Sequence, residues 1–397
     1  MDSMGSIKGS GGAASLPSKW DNKRIIAVVV LTAIFILSYF LIHFFLIEKA
    51  ESTSAKSEFA KGRVVSVLQD NTQRDESTEG VLRGSQEVIV EILSGTQKGK
   101  QFLTTNYLSA LYNINAKEGA KVIVRLDPQG DSVSAFIYSY DRGMVILVLI
   151  LIFVASLLII GRGKGAMAFI ALFITFVSIV GILFPLLEYG FPAIPVTVLI
   201  VFYTTVFTFV LIDGINKKTI SAALGTLSGV VIASLFAAIA GAFAHITGFQ
   251  TNESEELLLI GRDHGMKIGG LFTCGILIAA LGAVMDVAMS IASAVHELRS
   301  VNTALSAREL FESGMNIGRD AMGTMANTLI LAFAGSSFTL LLLVYFYDIT
   351  PLQLLSTDLI AREVIQGVSG SIGIVLTVPI VALLSARIET MKKDTKV

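Results

Sequence analysis

The stretch Gly269-Gly-Leu-Phe-Thr-Cys-Gly-Ile-Leu-Ile-Ala-Ala-Leu-Gly-Ala-Val-Met-Asp286-Val-Ala-Met-Ser-Ile-Ala-Ser-Ala-Val295 decides the fold class. It exceeds the ~20 apolar residues a helix needs to cross a bilayer, and Asp286 carries its only charge. A carboxylate near the hydrocarbon centre costs about 2.5–3.5 kcal/mol on insertion scales, so it needs a partner, a wet cavity or a bound ion. At helical spacing Gly282 and Ser290 lie one turn to either side of it, and Gly275 and Ser293 continue the same face. Asp286 is about 15 Å or more from either end of the segment, too far to snorkel out. Lipid suits such a face poorly; a second helix backbone, water or an ion suits it well. The plainer alternative is a hydrogen bond to a neighbouring helix.

The rest of the chain has the same character. Of 397 residues, 53% are apolar and 15% charged, against roughly 25% charged in soluble domains. We expect an α-helical polytopic membrane protein with about eight transmembrane helices. They run approximately Ile25–Ile47, Gly143–Ile160, Ala166–Leu187, Ile194–Ile212, Thr219–Ile246, Ile268–Val295, Ala321–Phe346 and Gln366–Ala386. Lys19, Lys23 and Arg24, then Arg162 and Lys164, Lys217 and Lys218, and Arg299, Arg308 and Arg319 fall in alternate loops, with Lys392, Lys393 and Lys396 at the end. Basic residues stay on the cytoplasmic side, so both termini are expected inside. The opposite loops hold Glu188 and the acidic group Glu253, Glu255, Glu256 and Asp263, with Arg262, Lys267 and Arg362 scattered among them.

The expected organisation is a Gly/Ser-rich terminus over 1–18, disordered or expression-derived, an anchor helix over 19–48 and a β domain over 49–141. A seven-helix bundle over 142–390 and a tail over 391–397 follow. The first apolar run is longer than a signal-peptide core and is read as an anchor. One cysteine, Cys274, allows neither an intrachain disulfide nor a zinc cluster.

Between the first two spans the pattern changes from helical to alternating or β-branched. Gly62–Leu68, Gln86–Leu93, Gln101–Thr104, Lys121–Leu126 and Ser132–Tyr138 read as strands. Gly95-Thr-Gln-Lys-Gly99 reads as a hairpin, Asp127-Pro-Gln-Gly130 as a β-turn and Arg74–Gly80 as a flexible loop tip. Short strands at this density predict a small all-β barrel of the OB or SH3-like kind, placed outside the cell. Acids are interleaved with its bases, which argues against nucleic acid as a partner; a scaffold or docking module is the plainer reading.

Further candidates lie on other spans. Thr324, Asn327 and Thr328 sit just inside the seventh, at a depth where Asn327 could meet Asp286. Gly225 and Gly229 open a row with Ala233, Ala237 and Gly241, read as helix packing, as is Gly282; His245 ends the row at the outer interface, with a proton relay as the alternative. Asp320 reads as a helix-start carboxylate and Asp213 as a loop residue. Thr350-Pro-Leu-Gln353 and Ser306-Ala-Arg-Glu309 have capping-box form, each opening a short helix. Glu363 stands at the edge of the last span, followed by Gly367, Gly370, Ser371 and Gly373, a cluster that permits tight packing or local unwinding.

Leu281-Gly-Ala-Val-Met-Asp-Val-Ala-Met-Ser-Ile-Ala-Ser293, Ser313-Gly-Met-Asn-Ile-Gly-Arg-Asp320, Gly323-Thr-Met-Ala-Asn-Thr-Leu-Ile-Leu-Ala332 and Gly370-Ser-Ile-Gly373 resemble the signature of the YibE/F-like bacterial membrane proteins. The resemblance runs from the external domain to the last span. One departure is Val301-Asn-Thr303, where the family pattern has proline after the asparagine. It implies this architecture in a bacterial plasma membrane, suggests transport without a substrate, and carries Asp286, Asn327 and Glu363 over as candidates.

The leading expectation is a secondary transporter or ion-conducting protein. Asp286 would hold a proton or cation, Asn327 and Ser290 would complete its shell, Glu363 would line the outer approach, and Thr324 and Ser371 are further binding candidates. No GxxxxGK[ST] motif is present, so no nucleotide or other cofactor is expected. An intramembrane hydrolase fits poorly: Gly367-Val-Ser-Gly370 lacks a following histidine, and His296-Glu-Leu-Arg-Ser300 lacks the second histidine of a zinc protease. The remaining class is a non-transporting scaffold whose external barrel binds an envelope component or partner subunit. The expected partners are therefore the lipid bilayer, an inorganic ion or small solute, and either a second copy or an envelope protein. A metal role is left open.

Overall fold

A computed structural model describes residues 22–46, 57–129, 132–246, 257, 265–347 and 349–391. Lys19 and the C-terminal Lys392, Lys393 and Lys396, the acidic residues Glu253, Glu255, Glu256 and Asp263, and the Gly130 end of the expected β-turn lie outside these. The chain divides into two compact units, Ala50–Ser156 and a second formed by Met1–Lys49 with Leu157–Val397.

The first unit is built by alternation. In β1 (Glu58–Asp70) Ala60, Gly62 and Val64 point inward while Lys61, Arg63 and Val65 point out. β2 (Gln73–Asp75), β3 (Val81–Ile92), β4 (Gln101–Leu108), β5 (Lys121–Gln129) and β6 (Ser132–Tyr140) follow. All pairs are antiparallel, and β4 continues the path β3-β1-β5-β6 on its other side. Val64, Val88, Val90, Ile92, Val122, Val124 and Leu126 fill the concave face. Gly62 sits where a Cβ would come within 2.7 Å of Val124 and 2.9 Å of Val90, so the sheet can curl only around a residue without a side chain.

All the expected strands form, and the Gly95–Gly99 hairpin joins β3 to β4. The closed barrel does not form: β4 and β6 meet through the Thr104 hydroxyl, which donates to Ala135 O at 2.6 Å, and no ladder joins them. The architecture is a half-barrel. Arg74–Gly80 departs from its reading as a loop tip, because β2 pairs with β3 and Asp75 caps a 3₁₀ turn over Glu76–Thr78. Asp75 also pairs with Arg83 at 2.6 Å. A polar cluster pins the segment after β4: buried Gln86 accepts from Ala116 N at 2.9 Å and donates to Asp70 at 3.0 Å.

The helices are α1 (Asn22–Leu46), α2 (Gly143–Ser178), α3 (Phe184–Glu188), α4 (Ala193–Asp213), α5 (Lys217–Phe243), α6 (Leu271–Val301), α7 (Ala307–Ser336), α8 (Phe338–Phe346), α9 (Pro351–Ser356) and α10 (Asp358–Thr390). Six helical runs among the described residues are long and apolar enough to cross a membrane, or seven if the pair α7–α8, bent by 66°, is one span. These helices suggest a multi-pass membrane protein. The expected second and third spans form one run, Gly143–Glu188, interrupted at Arg162, whose backbone leaves the helical region (φ 49°, ψ −130°). A Cβ on Gly165 would overlap the Leu157 carbonyl. Residues that far apart lie about 12 Å apart along one helix, so the chain turns sharply here. A π-helical turn, Ile179–Leu183, links α2 to α3, and its Gly181 gives room for the Tyr39 ring of α1.

Local signals set the ends. Asn216 accepts from Thr219 N at 2.8 Å to cap α5, and the capping boxes Ser306–Glu309 and Thr350–Gln353 open α7 and α9. Arg24 donates to the carbonyls of Leu211 and Ile212 at the C-terminus of α4, where a cation also complements the helix dipole. The expected short helix at Ser306 runs on into the seventh span. Gly314 and Gly318 hold this polar stretch helical, by packing on Val295 and Ala382 and on Ile291 and Val378.

The core of the second unit lies among α5, α6, α7 and α10. A Cβ on Gly225 would strike Val381 and one on Gly229 would strike Thr377, while Gly373 faces Ala233 and Gly370 faces Leu329. The glycines of α5 and α10 interlock along this seam. α10 stays helical throughout its glycine cluster, with Pro379 included, so close packing is what these glycines provide.

Candidate functional site

Asp286 lies midway along the 31-residue α6, about 22 Å from either end at a rise of about 1.5 Å per residue. Its helix turns one side to the core through Val284, Val287, Ala288 and Ile291, all fully buried. The other side carries Gly275, Gly282, Asp286 and Ser290, all exposed, within a sector of about 80°. Asp286 makes no hydrogen bond or ion pair among the described residues. A Cβ on Gly275 or on Gly282 would meet nothing within 4 Å. Gly282, read as a packing residue, therefore packs against nothing among the described residues, unlike Gly225 and Gly229.

Gly282 opens instead onto a cavity of about 210 Å³ shared with Met285, Thr175 of α2 and Thr204 and Thr208 of α4. Thr204 spends its hydroxyl on Ile200 O at 2.9 Å of its own helix. The hydroxyls of Thr175 and Thr208 have no partner among the described residues. Sequence reasoning missed these threonines; the available signal was their recurrence on the apolar α4, as Thr197, Thr204, Thr205 and Thr208.

The expected neighbour is elsewhere. Asn327 and Thr324 are exposed on α7, and no hydrogen bond joins Asn327 to Asp286. Gly318, which packs on Ile291 of α6, lies nine residues before Asn327. At about 100° per residue that separation is half a turn off register, so Asn327 points away from α6. Thr324 and Thr328 donate to carbonyls of their own helix, at 2.9 and 2.8 Å. Ser371 on α10 likewise donates to Gly367 O at 2.8 Å. Glu363 is half-buried on α10 and lines a different cavity, with residues of α7 and Leu341 of α8. The candidates thus fall in three places: Asp286 with Ser290 and Gly282, Asn327 with Thr324, and Glu363 with Ser371 two turns beyond it.

The residues set aside in the sequence sit in structural roles. Asp213 pairs with Lys218 at 3.1 Å and lies 4.0 Å from Lys164. His296 of α6 meets the buried carboxylate of Glu389 on α10 at 2.7 Å. Among the described residues no group of three or more His, Cys, Asp or Glu side chains could hold a metal.

No curated protein and no solved structure matches the chain. Two family models do. The YibE/F family N-terminal domain matches residues 58–140, which is the half-barrel from the first residue of β1 to the last of β6. The YibE/F-like protein model matches residues 149–391, which takes in the helices carrying Asp286, Asn327 and Glu363. With most of its length covered in this order, the chain belongs to the YibE/F-like family.

Proposed function

We propose that this is an integral membrane transporter, an ion-coupled carrier or an ion conductor, in which Asp286 is the proton or cation site. The observation that carries the reading is a carboxylate midway along an apolar helix, without a partner among the described residues, on the face where two glycines meet none of them. Left facing lipid, it would cost about 2.5–3.5 kcal/mol. A hydrated path or a bound cation removes that cost, and the threonine-lined cavity reaches α6 at Gly282, one helical turn from Asp286. In this reading the break at Arg162 separates two spans, eight helices cross a bacterial plasma membrane, both termini are cytoplasmic and the half-barrel is outside.

A second reading, a scaffold whose half-barrel binds an envelope component, is favoured by an apolar tip: Tyr107, Leu111 and Tyr112 are 75%, 89% and 66% exposed. One experiment separates the two. Proton and monovalent-cation flux is measured in proteoliposomes with the wild-type chain and with Asp286→Asn. Flux in the wild type that falls at least about tenfold in the variant supports the ion site. Equal flux in both sinks it, and absence of flux from both leaves the scaffold reading.

A further inference from the structure

The outward face of α7 carries a regular polar seam that the described residues leave open. Asn316, Asp320, Gly323, Asn327, Ile330 and Ala334 follow one another at alternating steps of four and three residues. At about 100° per residue all six fall within a sector of about 80°. The first five are exposed and Ala334 is half-buried. Leu310, Gly314, Gly318 and Leu329, the buried residues of this helix, lie on the opposite side, where the two glycines pack on α6 and α10. The Asn327 carboxamide has no hydrogen-bond partner among the described residues, and a Cβ on Gly323 would meet nothing within 4 Å. Leu329, two residues on, meets Gly370 of α10, so Asn327 lies level with the glycine cluster of an apolar span.

The chemistry of the seam narrows what can cover it. Lipid tails offer a carboxamide neither donor nor acceptor. Steps of four and three give the 3.5-residue period at which two helices supercoil with knobs in holes, so a helix of the same repeat fits it. Copies of one chain share one orientation in a membrane, and a two-fold axis along the membrane normal brings each residue of the seam to its own counterpart. A carboxamide is both donor and acceptor, so two Asn327 side chains satisfy each other. The hole that receives Asn327 is made by Gly323, Ala326, Asn327 and Ile330 of the second copy, and its two small residues let the backbones come close. At the polar end the hole for Asp320 includes Arg319 of the second copy, so each carboxylate gains a cation across the pair. Arg319 gives one N–H to Asn316 of its own helix at 3.0 Å and has others left to donate.

We propose that two copies of this chain pair in parallel along this seam of α7, with Asn327 hydrogen-bonded to Asn327 at its centre. The seam is separate from Asp286 and does not depend on the ion reading.

The test is sedimentation equilibrium of the purified full-length chain in density-matched detergent micelles, over a range of protein-to-detergent ratios. We expect a monomer–dimer equilibrium that Asn327→Leu weakens about five- to thirtyfold, the range of an interhelical side-chain hydrogen bond. Gly323→Leu should abolish pairing by holding the backbones apart, and its side chain enters open space, so the monomer should unfold at an unchanged temperature. Oxidation of the Ile330→Cys dimer should link the two copies, whereas Thr328→Cys, exposed but off the seam, should not. The native Cys274 is buried and stays out of the reaction. Asp286→Asn should leave pairing unchanged, so that failure here and failure of the ion site are told apart. A monomer at every ratio would overturn the proposal. So would a dimer that Asn327→Leu and Gly323→Leu leave intact, or one in which Thr328→Cys links as fast as Ile330→Cys, since the copies would then meet through another face.

Discussion

Replacing Gly229 by alanine inserts one carbon into the seam between α5 and α10. Built on the α5 backbone, that carbon overlaps the Thr377 hydroxyl and lies 2.9 Å from a Val284 methyl and 3.1 Å from Thr377 Cβ. Neither neighbour can swing aside. Thr377 and Val284 are both fully buried, and the Thr377 hydroxyl is tied to Gly373 O at 2.7 Å. The helices must move apart, and overpacking of this kind costs about 1–3 kcal/mol. Alanine also gains about 1 kcal/mol of helix propensity over glycine, which hides part of the effect. Gly282→Ala is the matched control, because it gains the same propensity and its new carbon meets nothing within 4 Å. The difference between the two variants isolates the packing contribution. At about 2–4 °C per kcal/mol, Gly229→Ala should unfold roughly 2–12 °C below Gly282→Ala. Thermal unfolding of both in the same detergent, followed by circular dichroism, measures it. Coincident midpoints would refute the claim that the α5 glycines exist for close packing.

The half-barrel offers two further tests. Gln86→Leu keeps the volume but leaves the buried Ala116 N–H without its acceptor, at about 1–3 kcal/mol, and leaves the Asn106 amide only its bond to Ile114 O. Cleavage by a protease in the segment 109–120 should then speed up several-fold, and an unchanged digestion rate would contradict the pinning role given to Gln86. The second concerns acid. The Thr72 hydroxyl, then the Gln86 amide and the Thr72 N–H, hold the Asp70 carboxyl below its usual range, and Thr96 does the same for Glu58. For carboxyls lowered in the folded state, the stabilisation is complete above the unfolded values near pH 4 and is lost as pH falls through the folded ones. The infrared β-sheet band should therefore melt at a constant temperature from about pH 7 to 5 and progressively lower below about pH 4. A midpoint independent of pH down to about 2.5 would show that these hydrogen bonds do not favour the charged forms.

Much of this architecture was legible in the chain because it depends on local chemistry. The spans follow from apolar runs, and the strands from alternation such as Ala60, Gly62 and Val64 against Lys61, Arg63 and Val65. The two capping boxes were readable for the same reason, since Ser306 with Glu309 and Thr350 with Gln353 satisfy each other within one turn. The errors lie where a long-range contact decides. Arg74–Gly80 read as a loop until β2 paired with β3, and the capping box at Ser306 read as opening a short helix apart from the seventh span. The helix runs on because Gly314 and Gly318 let α7 lie against α6 and α10.

The same division holds for the candidate site. That Asp286 is an expensive residue on a small-residue face followed from the sequence, because insertion cost and helical spacing are properties of one helix. Which way that face turns did not follow. Gly225, Gly229 and Gly282 look alike in the chain, yet the first two are filled by α10 and the third opens on a cavity lined by threonines of α2 and α4. Asn327 had the right depth and the wrong azimuth. Depth along a span is set by counting residues, whereas the rotation of each helix about its axis is set by which side chains its neighbours can interlock with. Composition and period thus determined that this chain carries apolar helices long enough to cross a membrane, with a β domain between the first two. Only the packing of α5, α6, α7 and α10 decided that Asp286 would be left without a partner among the described residues.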